Sequence, residues 1–233
     1  MLAIVAVPSP TEQAFILYNG ANTLLRAEEM DPGYITSAGA FIFGSVTLAS
    51  ASRQAALQGA KWAKEAGKQV IFDVNLRPLV WPNLDIARRR TEEALSLTTV
   101  LKLNENELEF LTGTRDLAGG SKQLLRRGIQ LCCVSLGEEG AYFNNGQAAG
   151  HVPGFSVEVR DTTGSGDAFV AGLAFQLNRL EEPVPALDEI LLGRVIHFAN
   201  ACGGLSATHQ GAMSASPTLA AVERLVQENL SQF

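Results

Sequence analysis

The chain has 233 residues, 46% of them hydrophobic and 18% charged, with a formal charge of −6 from 18 Lys and Arg against 24 Asp and Glu. That balance describes one soluble domain with a sizeable core, and its acidity sets a nucleic-acid partner aside. Cys132, Cys133 and Cys202 have neither metal spacing nor a disulfide framework, which predicts a cytoplasmic or similarly reducing setting, and the lack of a basic leader or a span-length apolar run predicts no membrane partner.

Two β-rich runs at 2–7 and 14–18 flank Pro8-Ser9-Pro10-Thr11-Glu12 and predict a hairpin-like opening. After the loop Asn19-Gly20-Ala21-Asn22, a helical pattern surrounds 27–30. A strand at 40–44, a long helix from about 48 to 66 and a strand at 69–73 then set an alternating rhythm. That rhythm predicts an α/β fold with a mostly parallel sheet. It continues with a helix at 85–97, a strand at 100–103, helices at 105–111 and 121–127, and a strand at 131–136. Asn144-Asn145-Gly146 predicts an antiparallel hairpin between 141–143 and 147–151. Helices at 165–180, 187–208 and 218–229 complete the chain, and Arg88-Arg89-Arg90 and Arg126-Arg127 read as solvated helix faces.

Ligands of open α/β sheets bind beyond the carboxyl ends of the strands. Here those ends run into Ser45, Asp73-Val74-Asn75-Leu76-Arg77, Asn104 and Gly137. The strongest local signal is Asp161-Thr162-Thr163-Gly164-Ser165-Gly166-Asp167 ahead of an apolar run. Small-residue turns feeding a helix leave backbone N–H groups of 164–167 without intrahelical partners, with the positive end of the helix dipole behind them. A carboxylate at Asp167 competes with a bound anion unless it serves as a base beside a phosphoryl group in transfer. The bland reading is a turn closed by Asp161 and a helix capped by Ser165.

Other stretches admit two readings each. Asn104 followed by Glu107 is a capping-box spacing. Ser135-Leu136-Gly137-Glu138-Glu139-Gly140 is a turn between strands or a loop along a ligand. Asn200-Ala201-Cys202-Gly203-Gly204 suits a tight helix contact or the close approach of a flat base. Neither a Walker P-loop nor a Rossmann glycine pattern is present, and His151, His197 and His209 lack ligand or triad spacing and read as structural.

The string 161–167 resembles the second signature of the ribokinase-like (PfkB) carbohydrate kinases, and the chain is most similar to fructokinases within that family. The resemblance implies a ribokinase-like fold over 1–233, with 1–22 as lid-like strands and the family's N-terminal segment absent. It implies ATP-dependent phosphorylation of a sugar hydroxyl. Gly164, Ser165 and Gly166 then form the anion hole, and Asp167 is the base. Lys102, Ser135, Gly137, Gly140, Asn200 and Gly203 fall on the nucleotide side, and Asp73, Arg77 and Asn22 on the substrate side. Asn22 stands where fructokinases carry an acid.

Asn104 and Glu107 match the family's Asn-x-x-Glu motif, which positions Mg²⁺ through water. Asp161 and Thr163, with 207–212, match a monovalent-cation site, for which K⁺ is the candidate. Alternatives within the family are a 2-keto-3-deoxygluconate kinase or a nucleoside kinase. Outside it stands a non-catalytic, partner-binding relative. A sheet without its opening strands presents an unpaired edge, so a homo-oligomer or a chain covering that edge is expected.

Overall fold

Residues 2–9, 12–18 and 20–229 are described by the computed structural model. β1 (Leu2–Ser9) and β2 (Glu12–Tyr18) pair antiparallel as a separate two-stranded ribbon, with Ile4 opposite Ile16. Asn19 lies outside the described residues, as does the side chain of Asn22, whose backbone belongs to a 3-10 turn at Ala21–Thr23. A second 3-10 turn at Ala27–Glu29 stands where a helix around 27–30 was expected. α1 (Pro32–Ser37), which the sequence pattern did not announce, starts because the Asp31 carboxylate accepts from Gly33 N and Pro32 occupies the first helical position.

The main sheet has the order β3 (Ala40–Gly44), β4 (Gln69–Asp73), β5 (Val100–Asn104), β6 (Leu131–Ser135), β7 (Ala141–Asn144) and β8 (Ala149–Val152). The first four strands are parallel and the last two are antiparallel, so the sheet is mixed. Strands buried on both faces read as continuous apolar runs. On one face Phe43, Phe72, Leu101, Leu103, Cys132 and Val134 pack against α3 (Arg53–Glu65), α4 (Leu84–Leu95), α5 (Glu105–Thr112) and α6 (Leu117–Leu125). On the other, Ile71, Val100, Leu131 and Cys133 meet α7 (Ser165–Leu177) and α8 (Glu189–Ala207). α9 (Leu219–Glu228) packs on α8 through Val222. β3 is one edge strand and β8 the other, and Ile42 of β3 is 46% exposed.

Two further expectations are corrected. The helix expected from about 48 to 66 is two helices, α2 (Ser45–Leu48) and α3, because Ser50 turns the chain: its hydroxyl donates to Thr47 O at 2.9 Å and accepts from Ser52 N at 3.2 Å. The hairpin returns at Ala149 rather than 147, because Asn145 Oδ1 accepts from both Gln147 N and Ala148 N and keeps them in the turn. α8 is apolar and long enough by composition to cross a membrane, but 67% of it is buried inside the fold, where it packs on α7.

Candidate active site

α7 begins where the sequence placed it. Gly164 is its N-cap with φ 82°, a left-handed conformation that L side chains rarely adopt, and no side chain caps the helix. Ser165 is therefore a first-turn residue and not the cap. Its N–H donates to Thr162 O at 3.2 Å, and Ala168 N donates to Gly164 O at 2.8 Å. Among the described residues no acceptor takes the N–H groups of Gly164, Gly166 and Asp167. Three donors at a helix start, with the positive dipole end behind them, make an anion cradle. Asp167 is exposed at its rim.

The floor of the cradle comes from the sheet. Parallel register places Asp73 beside Lys102, and both face the α7 side because Ile71 and Val100, two residues earlier, do. Lys102 Nζ is 3.2 Å from Asp73 Oδ1, with the two residues 6% and 5% exposed. A Cβ added to Gly166 would lie 3.2 Å from that same Nζ, so the ammonium sits directly against the start of α7. Burial pushes the Asp73 carboxyl up to about 6. Lys102 opposes this, and the nearby Glu107 and Asp167 carboxylates reinforce it. Asp73 thus pairs with one buried cation while two further carboxylates lie near it.

Asn104 and Glu107 realise the capping box. Glu107 N donates to Asn104 Oδ1 at 2.9 Å, and Asn104 N donates to Glu107 Oε2 at 2.8 Å. The other Glu107 oxygen accepts from Leu76 N at 2.7 Å, a tie across 31 residues that sequence spacing does not reveal. Both oxygens are therefore already engaged with backbone. This donor set suits a hydrated Mg²⁺ held through water more than direct ligation. Among the described residues no group of three or more His, Cys, Asp or Glu side chains forms a closed metal cage.

Past β4 the chain leaves the extended conformation, so Asp73, Asn75 and Arg77 do not share one face. Asn75 has φ 34°, its carbonyl accepts from Ser45 Oγ at 3.2 Å, and Arg77 is exposed while Asp73 is buried. Ser135, at the end of β6, donates to Leu103 O at 3.3 Å and leads into the 3-10 turn Gly137–Glu139. Gly140 follows with φ 97°. Asn200 and Gly203 lie on α8, and Gly203 lets the Ser165 carbonyl approach: an added Cβ would be 3.1 Å from it. Asp161 accepts from Thr163 N at 2.9 Å, Thr163 Oγ1 at 2.6 Å and Gly211 N at 2.9 Å, which ties the signature turn to the loop after α8.

The structure thus gathers Gly164, Ser165, Gly166, Asp167, Lys102, Asp73 and Glu107 in one place, with Asn104 beside them and Arg77 on a more exposed stretch. Sequence reasoning missed Gly154, whose approach to Glu138 O allows no side chain. The Pro153-Gly154 dipeptide directly after a strand was the available signal. His151, which reads as structural in the sequence, bonds backbone: its Nε2 donates to Glu139 O in the turn after β6, at 2.8 Å.

The chain matches the family model described as pfkB family carbohydrate kinase over residues 2–219. It is 36% identical to fructokinase-1 of Zea mays over 231 residues, which is 97% of this chain and 71% of that protein. Fructokinase from Xylella fastidiosa with bound ATP superposes with a TM-score of 0.88 at 32% identity, over 98% of this chain and 73% of that one. Fructokinase from Vibrio cholerae O395, bound to fructose, ADP and calcium ion, superposes with a TM-score of 0.82 at 30% identity, over 96% of this chain and 72% of that one. A signature turn at the head of α7, a mixed sheet that carries its polar residues to the same end, and a family match running almost the length of the chain agree: this chain belongs to the pfkB family of carbohydrate kinases.

Proposed function

We propose that this chain transfers the γ-phosphoryl group of ATP to a hydroxyl of fructose, with Asp167 as the base. The observation that carries the reading is the exposed Asp167 carboxylate at the rim of a cradle made of free N–H groups and the Lys102 ammonium. Phosphoryl transfer asks the protein chiefly for positioning and charge stabilisation. The Gly164, Gly166 and Asp167 amides and Lys102 hold the phosphate oxygens and stabilise the charge that develops on them. Asp167 orients the attacking hydroxyl and takes its proton as the new O–P bond forms. Bound Mg²⁺ supplies neutralisation of the triphosphate, and Asn104 and Glu107 are the residues that would hold it through water.

Ser135, Gly137, Gly140, Asn200 and Gly203 border the nucleotide, and Asp73, Arg77 and Asn22 border the sugar. Asp161 and Thr163 lie at the proposed K⁺ position. Three buried free cysteines accord with a cytoplasmic enzyme. The exposed ribbon face and the β3 edge are covered by a second copy of the chain.

ATP-dependent turnover on fructose, 2-keto-3-deoxygluconate and a ribonucleoside tests the reading. Fructose is expected to give the highest kcat/KM. Preference for either other substrate reassigns the chain within its family, and ATP binding without turnover of any sugar overturns the catalytic reading.

A further inference from the structure

Asn200 and Gly203 lie three residues apart on α8 and so share one face, yet each meets a different part of the site. Gly203 receives the start of α7 at Ser165 O. Asn200, 8% exposed, donates from Nδ2 to the carbonyls of both Val152 and Pro153, at 3.1 Å each. Those carbonyls belong to the exit of β8, which is locked to the turn 137–140. A Cβ on Gly140 would sit 2.1 Å from Val152 O and 2.5 Å from Gly154 N, and one on Gly154 would sit 2.4 Å from Glu138 O. The two stretches cross backbone against backbone with no space for a side chain. His151 adds a second tie from the opposite side, its Nε2 donating to Glu139 O.

We propose that Asn200 and His151 are positioning residues. Together they clamp the turn 137–140 through the exit of β8 to α8, and so set its spacing from the phosphate turn 164–167, which α8 contacts one helical turn further on. The consequence for nucleotide affinity rests on the ATP-dependent sugar-kinase reading above. The physical reason is satisfaction of buried acceptors. Without the Asn200 amide, each of two consecutive carbonyls loses a buried donor. A carbonyl that shifts toward water to replace it carries the turn 137–140 along through the interlocked glycines.

Hydrogen exchange tests the clamp without reference to activity. Asn200→Ala and His151→Ala should each speed exchange of the amides of 137–141 about tenfold, the equivalent of one hydrogen bond, and leave the middle of β5 unchanged. ATP and GTP should weaken by the same factor in both variants, and in His151→Ala kcat at saturation should stay within about twofold of wild type. The double variant should fall short of the product of the singles, because both ties hold one element.

Unchanged exchange at 137–141 in either variant overturns the proposal. So does a loss confined to ATP, which would mean that Asn200 reads the base directly, and so does full additivity. His151 is exposed, so its variant should fold even where Asn200→Ala does not. If the wild type binds no nucleotide, the kinase reading is what has failed, and exchange alone decides the clamp.

Discussion

The two ends of the proposed site are built by opposite means. The phosphate end is a set of mutual constraints: Lys102 and Asp73 pair out of water, Glu107 satisfies backbone on two segments, and Asp161 ties the signature turn to Gly211. The proposed sugar end is sparse. Among the described residues β1 and β2 pair only with each other, and Tyr18 and Leu24 are 71% and 67% exposed. Groups that must meet a triphosphate in one geometry are preorganised by buried bonds, whereas an element that must admit and release a substrate is held by few contacts. Substitutions at the first end should therefore change chemistry or folding strongly, and substitutions on the ribbon should change association with little effect on the core.

The largest effect is expected at Asp167. Asp167→Asn keeps the size of the side chain and removes the base, so kcat should fall by about 10²- to 10⁴-fold while ATP affinity holds or improves, since a negative group leaves the phosphate cradle. A kcat within about twofold of wild type would show that the base is elsewhere. Gly164→Ala should fail in the other way. At φ 82° a side chain is strained by about 1–2 kcal/mol, and the new Cβ would lie 3.0 Å from Ala212 Cα. Titration calorimetry should show nucleotide affinity lost by about tenfold, an energy of that size. Unchanged affinity would separate the cradle from nucleotide binding.

The buried pair gives an effect of intermediate size with a defined pH dependence. The Asp73 carboxyl is pushed from 3.8 up to about 6. A raised carboxyl pKa means that the folded state binds its proton more tightly than the unfolded state does. Asp73 is therefore least costly to stability below pH 4 and increasingly costly as pH rises through about 6. Lys102→Met removes the group that opposes this shift. At pH 8 the variant should lose about 3 kcal/mol, the scale of an uncompensated buried charge. At pH 5, where Asp73 holds its proton without help, the gap to wild type should close to about 1 kcal/mol or less, because protonation removes that buried charge. Urea denaturation at the two pH values checks this, and a gap that is equal at both would mean that Lys102 does not stabilise the Asp73 carboxylate.

Much of the phosphate end was legible because its parts are local. The glycine turn, the apolar run of α7 and the Asn104-to-Glu107 spacing each carry their meaning within a few residues, and α7 and α5 begin at the residues expected. The strands at 40–44 and 69–73 were readable from their apolar runs alone. Most of what escaped depends on partners far along the chain. Glu107 reaches Leu76 N, and Gly140 needs to be a glycine because Val152 O, twelve residues on, fills the space of its Cβ. The break at Ser50 turns on a hydroxyl bonding its neighbours, which competes with a helix that composition otherwise favours. Asn75 illustrates the same limit: its type tolerates the positive φ it adopts, but its carbonyl bonds Ser45 Oγ thirty residues earlier, which its sequence neighbours do not reveal.

The smallest effect on folding, and the clearest on assembly, is expected on the ribbon. Register pairs Ile4 with Ile16 and Ala6 with Ala14, and all four are exposed along with Tyr18, so one face of the ribbon presents a continuous apolar strip. A two-stranded ribbon has no second layer of its own to cover such a strip, and a second copy of the same strip supplies one of matching shape and chemistry. Because Ile16 is 69% exposed, replacing it removes almost no packing within the chain. Ile16→Ser should therefore leave the unfolding free energy within about 0.5 kcal/mol of wild type, as for other surface substitutions. It should also shift the species seen by light scattering from dimer to monomer at the same concentration. A wild type that stays monomeric at high concentration would remove the second copy from this face, as would an Ile16→Ser variant that dimerises equally well.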